Sequence, residues 1–96
     1  MKKYVQRKVE IEAVQFLCNN IETAEMFIEQ YHLEGFRAKY KKLPGRLHTE
    51  LLLIIPPQGE IPEKIVRRGM WLTKSETGMY ASSINDIFHA VFEESK

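Results

Sequence analysis

One stretch of this chain carries helical periodicity, CNNIETAEMFIEQYHLEG over residues 18–35, and both of its ends are marked. Ala24, Phe27, Ile28 and Tyr31 recur at i, i+3, i+4 and i+7, which sets them on one face of a helix. Asn19 is placed to cap the N-terminus, with Glu22 three residues later in the capping-box position. Glu22 and Glu25 fall near the positive end of the helix dipole and His32 near the negative end. Gly35 suits the left-handed residue just past the last turn. A lone amphipathic helix must bury its apolar stripe against something other than a second helix, so the rest of the chain has to supply a sheet.

The remaining segments read that way. In KVEIEAVQF, Val9, Ile11 and Ala13 alternate with Glu10 and Glu12, the period of a half-buried strand. Val14 and Phe16 then break the phase, which predicts a bulge or a switch of buried face. Beyond the helix, Phe36, Ala38 and Tyr40 alternate with Arg37, Lys39 and Lys41. Leu43-Pro44-Gly45-Arg46 is a Pro-Gly turn, and HTELLLIIP from His48 is a more fully buried strand, so the pair predicts an antiparallel hairpin. Three short strand-like runs follow, EKIVRR, GMWLTKS and TGMYASS, separated by Gly69 and SETG. The last strand would be FHAVFEE, with Phe88, Ala90 and Phe92 on one side and His89 and Val91 on the other. The expected fold is α+β: one helix in the N-terminal half packed on a curved, mainly antiparallel sheet of five to six short strands, in a single domain over 1–96.

Ninety-six residues bury roughly 60–65% of their unfolded surface, enough for one core and no separate cofactor domain. With 44% hydrophobic and 28% charged residues, the composition is that of an ordinary globule. The apolar run LLLIIPP is far short of the ~20 residues a membrane span needs. The basic N-terminus leads into no apolar stretch of a signal peptide, and Cys18 has no second cysteine to pair with, so a reducing cytoplasm is the expected compartment. The net charge of +1 conceals an asymmetry. Residues 10–34 hold six acids and no Lys or Arg, and residues 35–46 hold five bases and no acid. Adjacent segments of opposite sign either face each other or make two unlike faces.

Few residues suggest catalysis. His32, His48 and His89 are far apart in sequence, with no ligand pair at metal-binding spacing. Cys18 precedes a helix N-terminus, which can lower a thiol pKa, yet it follows Gln15-Phe16-Leu17 as a small buried hydrophobe would. Ser75, Ser82 and Ser83 fall in turns with no evident base. Glu10 and Glu12 project from one side of a strand and Glu93-Glu94 lie near the end of the sequence; glutamates that alternate with buried apolar residues are the wet side of a sheet rather than an acid–base pair. The glycines are scattered among turns and form no phosphate cradle, so no cofactor is expected. A small hydrolase or isomerase would need His48 or His89 to meet a carboxylate in a cleft. What remains is the basic run Arg37, Lys39, Tyr40, Lys41, Lys42 and Arg46, with Arg67, Arg68 and an exposed Trp71 as its extension. Alternate bases on a strand share a face and suit phosphates or stacked bases. The competing reading is an edge strand guarded by lysine, or a stripe that meets the acidic helix.

The two ends of the chain carry a resemblance. GMWLTKSETGMYASSINDIFHAVFEE is similar to the ending of a group of small uncharacterised phage and prophage proteins. Their pattern runs Pro-Gly-Asp-Trp-Ile, a short turn, Gly-x-Phe-Tyr, then Pro-Asp-Ile-Phe and an aromatic-Glu finish. Gly69, Trp71, Leu72, Gly78, Tyr80, Asp86, Ile87, Phe88, Phe92 and Glu93 stand at its marked positions, and RKVEIEAVQF is similar to the opening strand of the group. Met70, Arg68 and Asn85 depart from the pattern. The resemblance implies a phage-encoded cytoplasmic accessory protein without established catalytic residues, and the glycine and aromatic spacing is that of a folding motif. In it, Asp86 caps a turn that lays Ile87 and Phe88 into the core. The expected function is thus non-enzymatic binding of a host or phage protein, with a homo-oligomer plausible on size. The alternative is capture of an anionic nucleotide-like molecule or nucleic acid on the basic stripe.

Overall fold

The computed structural model describes residues 1–6, 9–91 and 93–94. Phe92 lies outside them, as do the side chains of Val9, Glu10, Val91, Glu93 and Glu94. The chain order is β1 (Lys2–Gln6), β2 (Val9–Gln15), α1 (Ile21–Gln30), β3 (Arg37–Lys41), β4 (Glu50–Ile55), β5 (Lys64–Arg67), β6 (Trp71–Lys74), β7 (Tyr80–Ser83), α2 (Asn85–Val91) and β8 (Glu93–Glu94). The class is α+β with antiparallel pairing throughout, but the strands form two sheets and a second helix is present. One sheet runs β7-β6-β2-β1-β8 and the other β3-β4-β5.

The broken alternation in β2 has its explanation here. Ile11 and Ala13 pack with Trp71 and Phe88 of α2 on one face of the five-stranded sheet. Phe16 and the half-buried Val14 turn to the opposite side, where they meet α1, the three-stranded sheet and Leu72. The strand is covered on both faces, so its sequence cannot keep a single period. A bulge is present as well, on the partner side. Phe16 N–H donates to Met70 O at 2.9 Å while Gly69 N–H donates to Phe16 O at 2.7 Å, so two residues oppose one. Gly69 sits at φ +93, and Met70 N–H closes a turn on Arg67 O at 2.9 Å. This turn swings the chain from the smaller sheet into the larger one, and the left-handed backbone it needs favours glycine.

The hairpin of β3 and β4 is in register from Arg37↔Ile54 to Lys41↔Glu50. Leu43 O accepts from Arg46 N–H across Pro44-Gly45, with Gly45 at φ +77, the pattern of a type II turn. Leu51–Ile55 are all buried. Helix α1 buries Ala24 and Phe27 and half-buries Ile28 and Tyr31, the face its periodicity marks.

Its ends differ from expectation by a residue or more. Asn20, not Asn19, is the cap: its Oδ1 accepts from Thr23 N–H at 2.9 Å, and Thr23 Oγ1 accepts from Asn20 N–H at 3.3 Å. A short hydroxyl at the third helical position reaches back where Glu22 would have been needed for the other register. At the far end His32 takes the left-handed conformation, at φ +52. Leu33 N–H bonds Ile28 O at 3.0 Å and His32 N–H bonds Glu29 O at 3.2 Å, which together make a Schellman closure. Leu33 is buried beside the half-buried Ile28, the contact that favours stopping there. Gly35, at φ +79, serves the next turn instead, closed by Phe36 N–H on Leu33 O.

The C-terminal segment is the largest correction. FHAV is helical, and among the described residues Glu93–Glu94 returns to a sheet, beside β1. Phe88 is fully buried as expected, but Ile87 is 56% exposed. A helix separates residues 87 and 88 by about 100°, so the two cannot enter the same core.

Candidate binding surface

On one face of the three-stranded sheet, strand register sets Arg37, Lys39 and Lys41 side by side, while Lys42 and Arg46 follow the strand. Arg37, Lys39 and Lys41 alternate with Ala38 and Tyr40, and Lys39 is in register with Leu52, which is in turn opposite Arg67. Leu52 and Ile54 belong to this face, yet they are 0% and 2% exposed. The long stems of the flanking Arg37, Lys39 and Arg67 are positioned by register to cover them while their charges reach water. A large part of the stripe is thereby a cover for an apolar face.

Acids hold three of its arginines. Arg67 makes a two-pronged bond to Glu50, Nε to Oε1 at 2.9 Å and a second nitrogen to Oε2 at 3.0 Å. Arg46 lies 3.8 Å from the same carboxylate, and Arg37 lies 3.4 Å from Glu63. Among the described residues, Lys39, Lys41, Lys42 and Arg68 have no such partner. The acids of α1 do not pair with the stripe among the described residues.

Trp71 does not extend the surface. It is 9% exposed in β6 of the other sheet, its ring stacked on Phe88 at 4.2 Å and 5°, with His89 edge-on at 5.4 Å. Its Nε1–H donates to Asn85 Oδ1 at 2.8 Å, and the Gln15 amide donates to Asn85 Oδ1 and to Gly69 O at 3.4 and 3.0 Å. Gly69, Trp71, Asn85 and Phe88, four positions from the C-terminal pattern, are therefore gathered into one structural node. The other histidines stand apart: His32 closes α1 and His48 lies in the loop between β3 and β4.

Tyr40 faces the opposite way from its lysine neighbours and is 53% exposed. It lines a shallow recess with Cys18, Asn19, Leu51 and Arg68. Cys18 and Asn19 also border a groove along α1 with Val14, Leu17, Phe27 and Tyr31. That groove shares Val14, Gln15 and Tyr31 with a cleft of about 560 Å³ reaching Met1 and Trp71. Leu17 is 55% exposed at the rim, and Met26, one turn beyond Thr23, is 66% exposed. Leu17 and Met26 were missed as surface residues, because single apolar residues in a loop or on a helix give no periodic signal. Burial pushes the Cys18 thiol up, and its contact with the Thr23 side chain offsets part of that. The thiol donates to Thr23 O at 3.5 Å and is neutral near pH 7, a poor nucleophile.

Set against protein-family models, curated proteins and solved structures, the chain matches none. No helix among the described residues is long and apolar enough to cross a membrane.

Proposed function

We propose that this chain is a non-enzymatic phage or prophage accessory protein that acts by binding a host or phage protein. The observation that carries the reading is the cluster of exposed apolar side chains around the start of α1. Leu17 and Tyr40 flank Cys18-Asn19, Met26 stands one turn beyond Thr23, and Arg68 and Glu50 supply charge at the margin. An apolar centre containing Tyr and Met inside a polar rim is how protein interfaces are built. The C-terminal resemblance supports the phage setting, and Gly69, Trp71 and Phe88 among its shared residues serve the fold.

The second reading, an anionic ligand on the basic stripe, is favoured by the unpartnered lysines. It is weakened by the loss of Trp71 as a stacking platform and by the pairing of Arg37, Arg46 and Arg67 with acids. Five phosphate contacts would give a salt slope of about −4.5, and fewer free cations imply a shallower one.

Native mass spectrometry of the tagged chain, gently purified from infected or lysogenic cells, distinguishes these. A protein retained by the wild type and lost on combined Leu17→Ser and Tyr40→Ala substitution is the expected result. A retained mass of a few hundred daltons, unaffected by those substitutions, moves the assignment to the anionic ligand.

A further inference from the structure

Among the described residues the sheets have four edges, and three of them are closed or short. Strand β8 has two described residues. The β7 edge is capped at Tyr80, where the Gln58 amide donates to Tyr80 O at 2.8 Å and its Oε1 accepts from Tyr80 N–H at 2.6 Å. Strand β5 packs beside β7. Strand β3 is different: α1 meets it from the core side through the cluster that includes Ala38, and four of its five residues remain exposed. Among the described residues no hydrogen bond from outside β4 reaches its backbone.

We infer that β3 is the docking edge for an extended, acidic segment of the protein partner, which adds as a fourth strand. The inference rests on the protein-binding reading above and names the partner's chemistry. Five residues of strand span about 17 Å, and an added strand sets its side chains about 5 Å from those of β3 on each face. Carboxylates on alternate residues would then meet Lys39 and Lys41 on one face. Apolar residues between them would meet Tyr40 and Ala38 on the other. The same lysines reject a second copy of β3, because like charges directly opposite destabilise pairing. The edge is thus closed to self-association and open to an acidic strand, which is selection by repulsion as well as attraction.

The test uses the full chain with three probes: a terminally blocked Glu-Val-Glu-Val-Glu-Val-Glu peptide, its Lys-for-Glu counterpart, and a short single-stranded oligothymidine. Fluorescence anisotropy reads affinity and amide hydrogen exchange reads location. The acidic peptide is expected to bind, to protect alternate amides of β3, and to weaken roughly tenfold in the double variant Lys39→Glu, Lys41→Glu, which should gain affinity for the basic peptide. Lys39→Gln with Lys41→Gln keeps polar side chains of moderate length, guards against misfolding of the reversed variant, and should show a smaller loss. No binding of the acidic peptide, binding indifferent to charge reversal, or protection away from β3 each overturns the inference. Tighter binding of oligothymidine with the same protected amides also overturns it, in favour of nucleic acid. A cellular partner captured equally by wild type and the reversed variant sinks the edge assignment alone and leaves the protein-binding reading intact.

Discussion

The side-chain amide oxygen of Asn85 is occupied. It takes the indole N–H of Trp71 at 2.8 Å and the Gln15 amide at 3.4 Å. An apolar side chain at this position would provide no acceptor. Removing the acceptor from a largely buried indole costs more than the bond's net worth, since the donor keeps its desolvation penalty. Asn85→Ala is expected to lower stability by about 1–2 kcal/mol in urea denaturation. On a Trp71→Phe background the same change should cost well under half of that, the stack on Phe88 being preserved. Equal costs in both backgrounds would mean that the Asn85 side chain acts through the helix start instead. Trp71 was read from sequence as exposed beside two arginines. Its burial follows from packing with a helix the periodicity did not reveal.

Helix α1 ends on a histidine in the left-handed region, a conformation that costs an L-residue roughly 1–2 kcal/mol. Glycine avoids that cost but loses about 0.5–1 kcal/mol more backbone entropy on folding. His32→Gly should therefore raise stability by about 0.5 kcal/mol, seen as a higher urea midpoint with unchanged slope. A lower midpoint would show that the His32 ring makes a contribution larger than its strain. The sequence contains a glycine three residues on, and the natural reading of a helix end selects it. The chain stops earlier because Leu33 has a buried place beside Ile28, and a hydrophobic contact outweighs a modest conformational cost.

The two sheets share one core through Phe16, Leu53, Val66 and Leu72, and the Gln58 side chain ties their edges. Gln58, on the short β4–β5 connection, pairs with both backbone groups of Tyr80 and takes the place of a missing strand neighbour. Gln58→Ala is expected to destabilise by about 1–3 kcal/mol and to speed amide exchange at Tyr80. Exchange unchanged there would mean that water replaces the amide without loss. Under the docking inference the same variant should leave acidic-peptide binding at β3 intact, because the Gln58 side chain bonds Tyr80 and not the β3 backbone.

The periodic and turn signals were read directly from the chain: α1 with its apolar face, the hairpin through Pro44-Gly45, the buried run Leu51–Ile55, and the shared face of Arg37, Lys39 and Lys41. Each is a short-range property, a repeat of 3.6 or 2 or a residue with restricted φ, and needs no distant partner to exist. Other features depended on which segments cover one another. Val14 and Phe16 break their strand's period because a second layer waits on the far face, and the bulge they implied lies on the opposing chain at Gly69. The sequence of α2 alternates like a strand, and seven residues are too few for helical propensity to prevail alone. It is helical because burying Phe88 against Trp71 requires it. The basic surface was legible in composition, but its surroundings were not. Register sets Arg37, Lys39 and Arg67 beside the buried Leu52 and Ile54, and pairing with Glu50 and Glu63 engages Arg37, Arg46 and Arg67.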